Sequence, residues 1–428
     1  VEKVLRDFLQ QLPCEGDPIM RLVRHFQPSV VVCLILWAVF GGVPVCWAAD
    51  GQAETVGARE ISYEELRDRI YGGWLGMLIG GIEGLPHEFK YREQPRDELP
   101  EFTFLAKGAR SDDDNDIEWT HLWFMHQEGV LLLPYPRIAE IWKANMNQGI
   151  WRANKAARGL MDQGLIPPET GSYHRNPHAW YNLSGQFATE SYGLIAPGMP
   201  RKAAEIALHY ARIAISGEPL QAAQYWPSLV SLSFFHEGNV EDLLKKGLAA
   251  IDPKSALAEA VGYACEAFHR HGADWKAARQ EIHEEWLVRR KWNDNSTPLN
   301  GALVCLALLY GNGDFYRTLQ YAMALGHDAD CNAATAGCVV GVLQGLSRIK
   351  KLPQYRVVDR YVNRTRPQLP AEVSITDQVE VLCRLALRCI RESGGQVIEE
   401  NNFPVRVIIP RQELVVLEFL PPDAPRPQ

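Results

Sequence analysis

The sequence predicts an all-α fold with a short strand-rich tail, and three observations predict it. Between residues 62 and 395 the apolar residues recur at three- and four-residue spacing, not in alternation. Two stripes of small residues repeat every four positions: Gly72, Gly76, Gly80 and Gly84 early in the chain, and Ala333, Gly337, Gly341 and Gly345 late in it. That spacing puts each stripe on one helix face, where a second helix can approach closely. Strand-like patterns are confined to 405–409 and 414–419.

Composition bounds the function. A hydrophobic content of 46% with 12 Trp describes a chain with a substantial core. A formal net charge of -8, without a basic aromatic patch, excludes a general nucleic-acid binder. The expected organisation is an upstream extension plus export signal over 1–49, a linker at 50–60, one helical domain at 61–395 and a tail at 396–428.

The first element is the expected signal. Met20 is its natural start, Arg21 and Arg24 form the positive region, residues 30–40 are apolar, and Cys46-Trp47-Ala48-Ala49 offers small residues for cleavage. The apolar run is short for a membrane span, so cleavage and an exported product, periplasmic or extracellular, are expected. Six cysteines follow, from Cys265 to Cys389, mostly in apolar helical contexts. Their spacing is neither a zinc site nor a disulfide framework, so buried thiols are expected.

Ser62-Tyr63-Glu64-Glu65 carries the signature of a helix start, and the helix runs through the first Gly stripe. A mixed-charge loop from Pro86 to Arg110 contains Glu88. Residues 117–164 read as further helices. The stretch 165–185, with Tyr173, His174, His178, Trp180, Tyr181 and Asn182, is a loop that either lines a pocket or packs on itself. Helices are expected again from Pro200, then over 229–235, 240–251, 255–269, 275–292, 298–310, 315–325 and 332–349.

Two acidic motifs carry the chemistry. In Ser111-Asp112-Asp113-Asp114-Asn115-Asp116, four acids occupy five positions. Helix capping needs one or two of them, and so many close carboxylates raise one another's pKa unless cations offset them. In Gly326-His327-Asp328-Ala329-Asp330-Cys331-Asn332, two carboxylates stand two apart. Extended or looped backbone there would point both the same way, toward one cation. Hard divalent cations take such oxygen ligands.

In this order, the Gly-rich helix followed by Glu88, the acids at Asp112-Asp113-Asp114 and the stretch Gly326–Ala334 resemble the motifs of the ADP-ribosylglycohydrolase family. Asn182-Leu183-Ser184-Gly185-Gln186 is similar to a further, less specific family region. The resemblance covers roughly 62–395. It implies an orthogonal multi-helix bundle with two Mg²⁺ ions, Mn²⁺ being an alternative, at one end of the core. It implies metal ligands at Asp112, Asp113, Asp114, Asp328, Asp330 and Cys331; a Ser111-Asp112-Asp113 register is the alternative for the first cluster. It implies reacting carboxylates at Asp113, Asp114 and Glu88, and substrate contacts at Glu88, Asn182, Gln186 and His327. The implied activity is hydrolysis of an ADP-ribosyl or related ribosyl bond, on a modified protein or a small-molecule glycoside, by a monomer.

This chain departs from the family pattern at four places. Gly81 stands where an acid is expected, Cys331 where a hydroxyl ligand is, Gly217 where a His is, and Ala188 where an Arg is. A thiol suits hard Mg²⁺ poorly. Gly217 and Ala188 favour an exported hydrolase of another glycoside. Gly81 and Cys331 favour a metal-dependent sugar- or ADP-ribose-binding protein with impaired turnover.

Overall fold

Ser62 opens the first helix: its hydroxyl accepts from the Glu65 N–H at 3.1 Å, satisfying one of the free donors of the first turn. The computed structural model describes residues 57–422. The expected signal and the extension before it lie outside the described residues.

In chain order, strand β1 (Arg59–Ser62) leads into α1 (Tyr63–Gly84), then β2 (Ala109–Arg110), α2 (Asp113–Glu128), α3 (Tyr135–Asn145) and α4 (Arg152–Asp162). Two single helical turns, Ser184–Phe187 and Ser191–Leu194, precede α5 (Pro200–Ala211), α6 (Pro219–Ser233), α7 (Val240–Gly247), α8 (Ala256–His271) and α9 (Trp275–His283). Then come α10 (Thr297–Gly311), α11 (Phe315–Leu325), α12 (Ala329–Gln344), β3 (Tyr361–Val362), β4 (Glu372–Val373), α13 (Ile375–Glu392), β5 (Gln396–Glu400) and β6 (Phe403–Ile409). The architecture is the mostly helical one expected. No helix among the described residues is long and apolar enough to cross a membrane. Cys265, Cys305, Cys331, Cys338, Cys383 and Cys389 are all buried free thiols.

The two small-residue stripes face each other. A Cβ on Gly72 would lie 2.3 Å from the Gly341 carbonyl oxygen, and one on Gly76 2.1 Å from that of Gly337. At the far end, a Cβ on Gly84 would lie 2.6 Å from the Asp330 Cα. Backbone therefore packs on backbone from Gly72 to Gly84 of α1, along the length of α12. Because both helices are buried nearly all round, the pair forms the spine of the core.

Several boundaries differ from expectation. Helix α2 starts at Asp113, not 117, because Asp112 caps it. Helix α6 starts at Pro219, well before 229; proline is suited to a first helical turn. The segment 275–292 divides into α9 and a π-helical turn, Glu284–Arg289. The segment 332–349 starts earlier, at Ala329, and breaks at Gly345, whose φ of +68° ends α12.

The tail is only partly strand. Strands β1, β6 and β5 form one antiparallel sheet, so the end of the expected linker (Arg59 and Glu60) and Ile61–Ser62 pair with the tail. Residues 414–419 form no strand. Instead Gln224 serves as a substitute partner: its side-chain oxygen accepts from the Leu417 and Glu418 N–H groups, and its Nε2 donates to the Glu418 carbonyl. A buried side-chain amide satisfies the backbone there without a neighbouring strand.

Candidate metal centre and active site

Three helix ends converge where α1 finishes and α2 and α12 begin. The Gly84–Asp330 approach sets α12 against α1. Helix α2 is held through β2, which pairs in parallel with β3, and through Tyr361, whose hydroxyl donates to Asn115 at 2.7 Å. Asp116 belongs to this support. It takes the buried Arg366 guanidinium and the Thr365 hydroxyl, and burial still pushes its carboxyl up to about 6. Asp112 accepts from the Asp113 N–H at 2.9 Å as the helix cap. Capping and salt bridging thus engage two of the four acids.

The remaining acids meet those of α12. Donor atoms of Asp114, Asp330 and Cys331 lie within 4.8 Å of one another, and so do donor atoms of Glu88, Asp328 and Asp330. Asp330 belongs to both groups. Asp114, Asp328, Asp330 and Cys331 are buried, and Glu88 is exposed at the rim. Asp112 and Asp113 lie half-buried outside both groups. Of the extended or looped backbone expected, only Asp328 lies in a loop. Asp330 sits in the first turn of α12 and Asp328 is its N-terminal flanking residue, so helix geometry aims them.

The electrostatics are those of acids that raise one another. Burial, reinforced by neighbouring carboxylates, holds Asp113, Asp114 and Asp330 well above the usual carboxylate range. Burial likewise raises Glu88, with Asp328 and Asp112 adding to it. Asp114 Oδ2 and Asp330 Oδ1 are buried without a hydrogen-bond partner. Buried carboxylate oxygens are costly unless something fills them, and a divalent cation is the species that fits this donor set.

The loop carrying Glu88 is fixed to the α12 approach. The Phe89 N–H donates to the His327 carbonyl at 2.7 Å, and the His327 N–H to the Tyr91 carbonyl at 3.3 Å. Arg279 of α9, fully buried, donates to the carbonyls of Leu325 at 3.0 Å, Tyr91 at 2.8 Å, Glu93 at 3.1 Å and Arg92. One guanidinium therefore joins both sides of the junction. His327, at φ +56°, is wholly buried and stacked on His283 with ring centroids 5.6 Å apart.

Gln186 is buried and donates to Asn332 at 3.0 Å, with its own Oε1 unpartnered. Asn182 accepts from the Ser184 N–H in a local turn. In the aromatic stretch, Tyr173, Trp180 and Tyr181 pack edge-on in sequence.

Sequence reasoning passed over two Asn residues, Asn295 and Asn300. Asn295 donates to Asp328 Oδ2 at 2.7 Å, and Asn300 Oδ1 accepts from Asn332 at 3.0 Å and from the Asp328 N–H at 3.4 Å. The polar run Asn293-Asp294-Asn295-Ser296 ahead of an apolar helix was the available signal. Sequence reasoning also passed over a buried pair behind the site. Glu118 accepts from the Ser191 N–H and hydroxyl, and Glu190 from the Thr189 N–H. Burial pushes Glu190 up to about 8, and burial with Glu190 beside it raises Glu118 well above the usual carboxylate range.

A family model described as ADP-ribosylglycohydrolase matches residues 62–391. A solved structure described as an ADP-ribosylglycohydrolase-related protein complex is similar at 19% identity and a TM-score of 0.48, covering 76% of this chain and 99% of that one. The curated proteins give no match.

Proposed function

The chain belongs to the ADP-ribosylglycohydrolase family, and from that premise we propose a metal-dependent hydrolase that releases an ADP-ribosyl, or related ribosyl, group from a modified protein or small-molecule glycoside. The observation that carries the reading is the pair of donor groups sharing Asp330, with unpartnered oxygens on Asp114 and Asp330. Two divalent cations, Mg²⁺ or Mn²⁺, would be held by Asp114, Asp328, Asp330 and Cys331, with Asp112, Asp113 and Glu88 at the margin. When bound, such ions orient sugar hydroxyls and polarise a water.

The protein's own groups do the rest. Glu88 stands at the rim with its carboxyl raised by burial, Asp328 and Asp112, which suits a general base. Asp113 and Asp114 supply negative charge beside an oxocarbenium-like anomeric carbon. Asn295 and Asn300 orient Asp328. The apolar stretch at 30–40 and the small residues after it support export of this activity to the periplasm or beyond. A monomer is the working oligomeric state.

The test is ADP-ribose release from Arg-, Ser- and acetyl-linked substrates with Mg²⁺, Mn²⁺ or EDTA. Release abolished by EDTA, and by Asp113→Ala and Asp328→Ala with the fold retained, is expected. Full activity in either variant refutes the reading. A second reading, a binding protein with impaired turnover, is favoured by Gly81. A Cβ there would lie 3.8 Å from Asp114 Oδ2, so this chain leaves room for an acid beside the cluster and supplies none. ADP-ribose bound in calorimetry without release would select it.

A further inference from the structure

We propose that the two groups sharing Asp330 are unlike ion sites: Asp114, Asp330 and Cys331 take a borderline divalent ion such as Zn²⁺ or Co²⁺ through a thiolate, while Glu88, Asp328 and Asp330 take a hard one through oxygen alone. This rests on the reading above that the pocket holds divalent ions. It goes beyond it in assigning Cys331 as the residue that makes the centre asymmetric.

Cys331 is 6% exposed, and its Sγ donates to Asp114 Oδ1 at 2.8 Å. The thiol thus reaches the acid group from the edge of the apolar core. The other Asp114 oxygen and one Asp330 oxygen are buried and unpartnered in the same place. Donor atoms within 4.8 Å of one another need only a small inward side-chain shift to share one ion, since metal–oxygen and metal–sulfur bonds are roughly 2.0–2.3 Å long.

The two donor sets then diverge. Sulfur is soft and favours Zn²⁺ and similar ions, whereas carboxylate oxygen suits Mg²⁺ and Mn²⁺. Only the group reaching α2 contains sulfur; the group reaching the Glu88 loop is carboxylate throughout. Binding at the first group would expel the Cys331 proton together with any held on Asp114 and Asp330: the S–H and O–H bonds break, bonds to the ion form in their place, and the protons leave to solvent. Asp330, common to both groups, would be available as a ligand to either ion.

Titrating the metal-free chain with Co²⁺ tests the assignment. One equivalent is expected to develop a near-ultraviolet thiolate-to-cobalt charge-transfer band that excess Mg²⁺ does not erase. Cys331→Ser should abolish the band and weaken Co²⁺ and Zn²⁺ by more than the roughly 10–100-fold that loss of an outer partner costs. Mn²⁺ binding at the oxygen group, followed by electron paramagnetic resonance, should survive. Cys331→Thr repeats the measurement if the Ser variant fails to fold. Co²⁺ binding without the band, or a band that persists in both variants, overturns the inference and leaves the hydrolase reading standing. Failure of the parent chain to bind any divalent ion overturns both.

Discussion

Gly80 and Ala333 meet backbone to backbone: a Cβ on Gly80 would lie 2.1 Å from the Ala333 carbonyl oxygen and 2.5 Å from the Ala334 nitrogen. Its neighbour Gly81 differs. A Cβ there makes only ordinary contacts, 3.7 Å from the Asp114 Cβ and 3.9 Å from that of Ala334.

Adjacent glycines on one helix are therefore expected to respond with opposite sign. Gly80→Ala forces α1 off α12 and should cost about 1–3 kcal/mol, the usual penalty of overpacking. Gly81→Ala gains helix propensity and should stabilise by up to about 1 kcal/mol. Chemical denaturation of the two variants checks this, and equal destabilisation would contradict the packing described.

Gly81→Asp places a carboxyl beside the unpartnered Asp114 oxygen. Without divalent ions it should destabilise, because another acid joins carboxylates that already raise one another. With Mg²⁺ it should bind the ion more tightly than the parent chain. Thermal melts with EDTA and with Mg²⁺ are expected to move in opposite directions relative to the parent.

Much of this site was legible in the sequence because acids and glycines leave patterns that chemistry constrains. The Gly stripes could be read because close helix approach requires small residues every four positions, and Asp114, Asp328 and Asp330 because acids so dense demand an explanation. What stayed hidden depends on contacts between distant residues. Asn295 is an unremarked loop amide until α10 sets it against Asp328. Arg279 reads as a solvent-facing charge until the 91–93 carbonyls close around it. The hidden role of Gln224 has the same origin: nothing local marks a glutamine as a stand-in for a strand, so residues 414–419 read as one.

Arg279 is expected to act as a positioning residue for the Glu88 loop. Arg279→Met removes its hydrogen bonds to the Leu325 and 91–93 carbonyls while keeping apolar bulk. Hydrogen exchange across 88–98 should quicken by at least about tenfold, equivalent to about 1.4 kcal/mol of lost local stability. Turnover should fall more than substrate affinity. Added guanidinium ion at low concentration should restore part of both effects.

Ion binding should tighten as pH rises. Asp113, Asp114 and Asp330 are held above the usual carboxylate value of 3.8 in the folded chain. The ion-free fold thus retains protons that the unfolded chain has already released, so its stability falls as pH climbs above that value. A divalent ion displaces those protons and removes the cost. The gain in melting temperature on adding Mg²⁺ should be larger at pH 8 than at pH 5.5; a gain independent of pH would show that these acids are not the ligands.

The buried pair Glu118 and Glu190 gives a separate pH signature. The Thr335 hydroxyl faces both Glu190 Oε1 and the Cys331 carbonyl, each at 3.0 Å, but has a single proton. A protonated Glu190 resolves the conflict by donating to Thr335, which then donates to Cys331. Burial pushes Glu190 up to about 8 from an ordinary 4.5. The unfolded chain loses this proton first, so the cost to stability is absent below pH 4.5, grows between 4.5 and about 8, and is complete above that. Glu190→Gln keeps a donor toward Thr335 and cannot ionise. It should match the parent near pH 4 and surpass it increasingly toward pH 8, by at most about 1.4 kcal/mol per pH unit. Urea denaturation across that range measures the difference, and a constant offset would mean that Glu190 is ionised in the folded protein throughout.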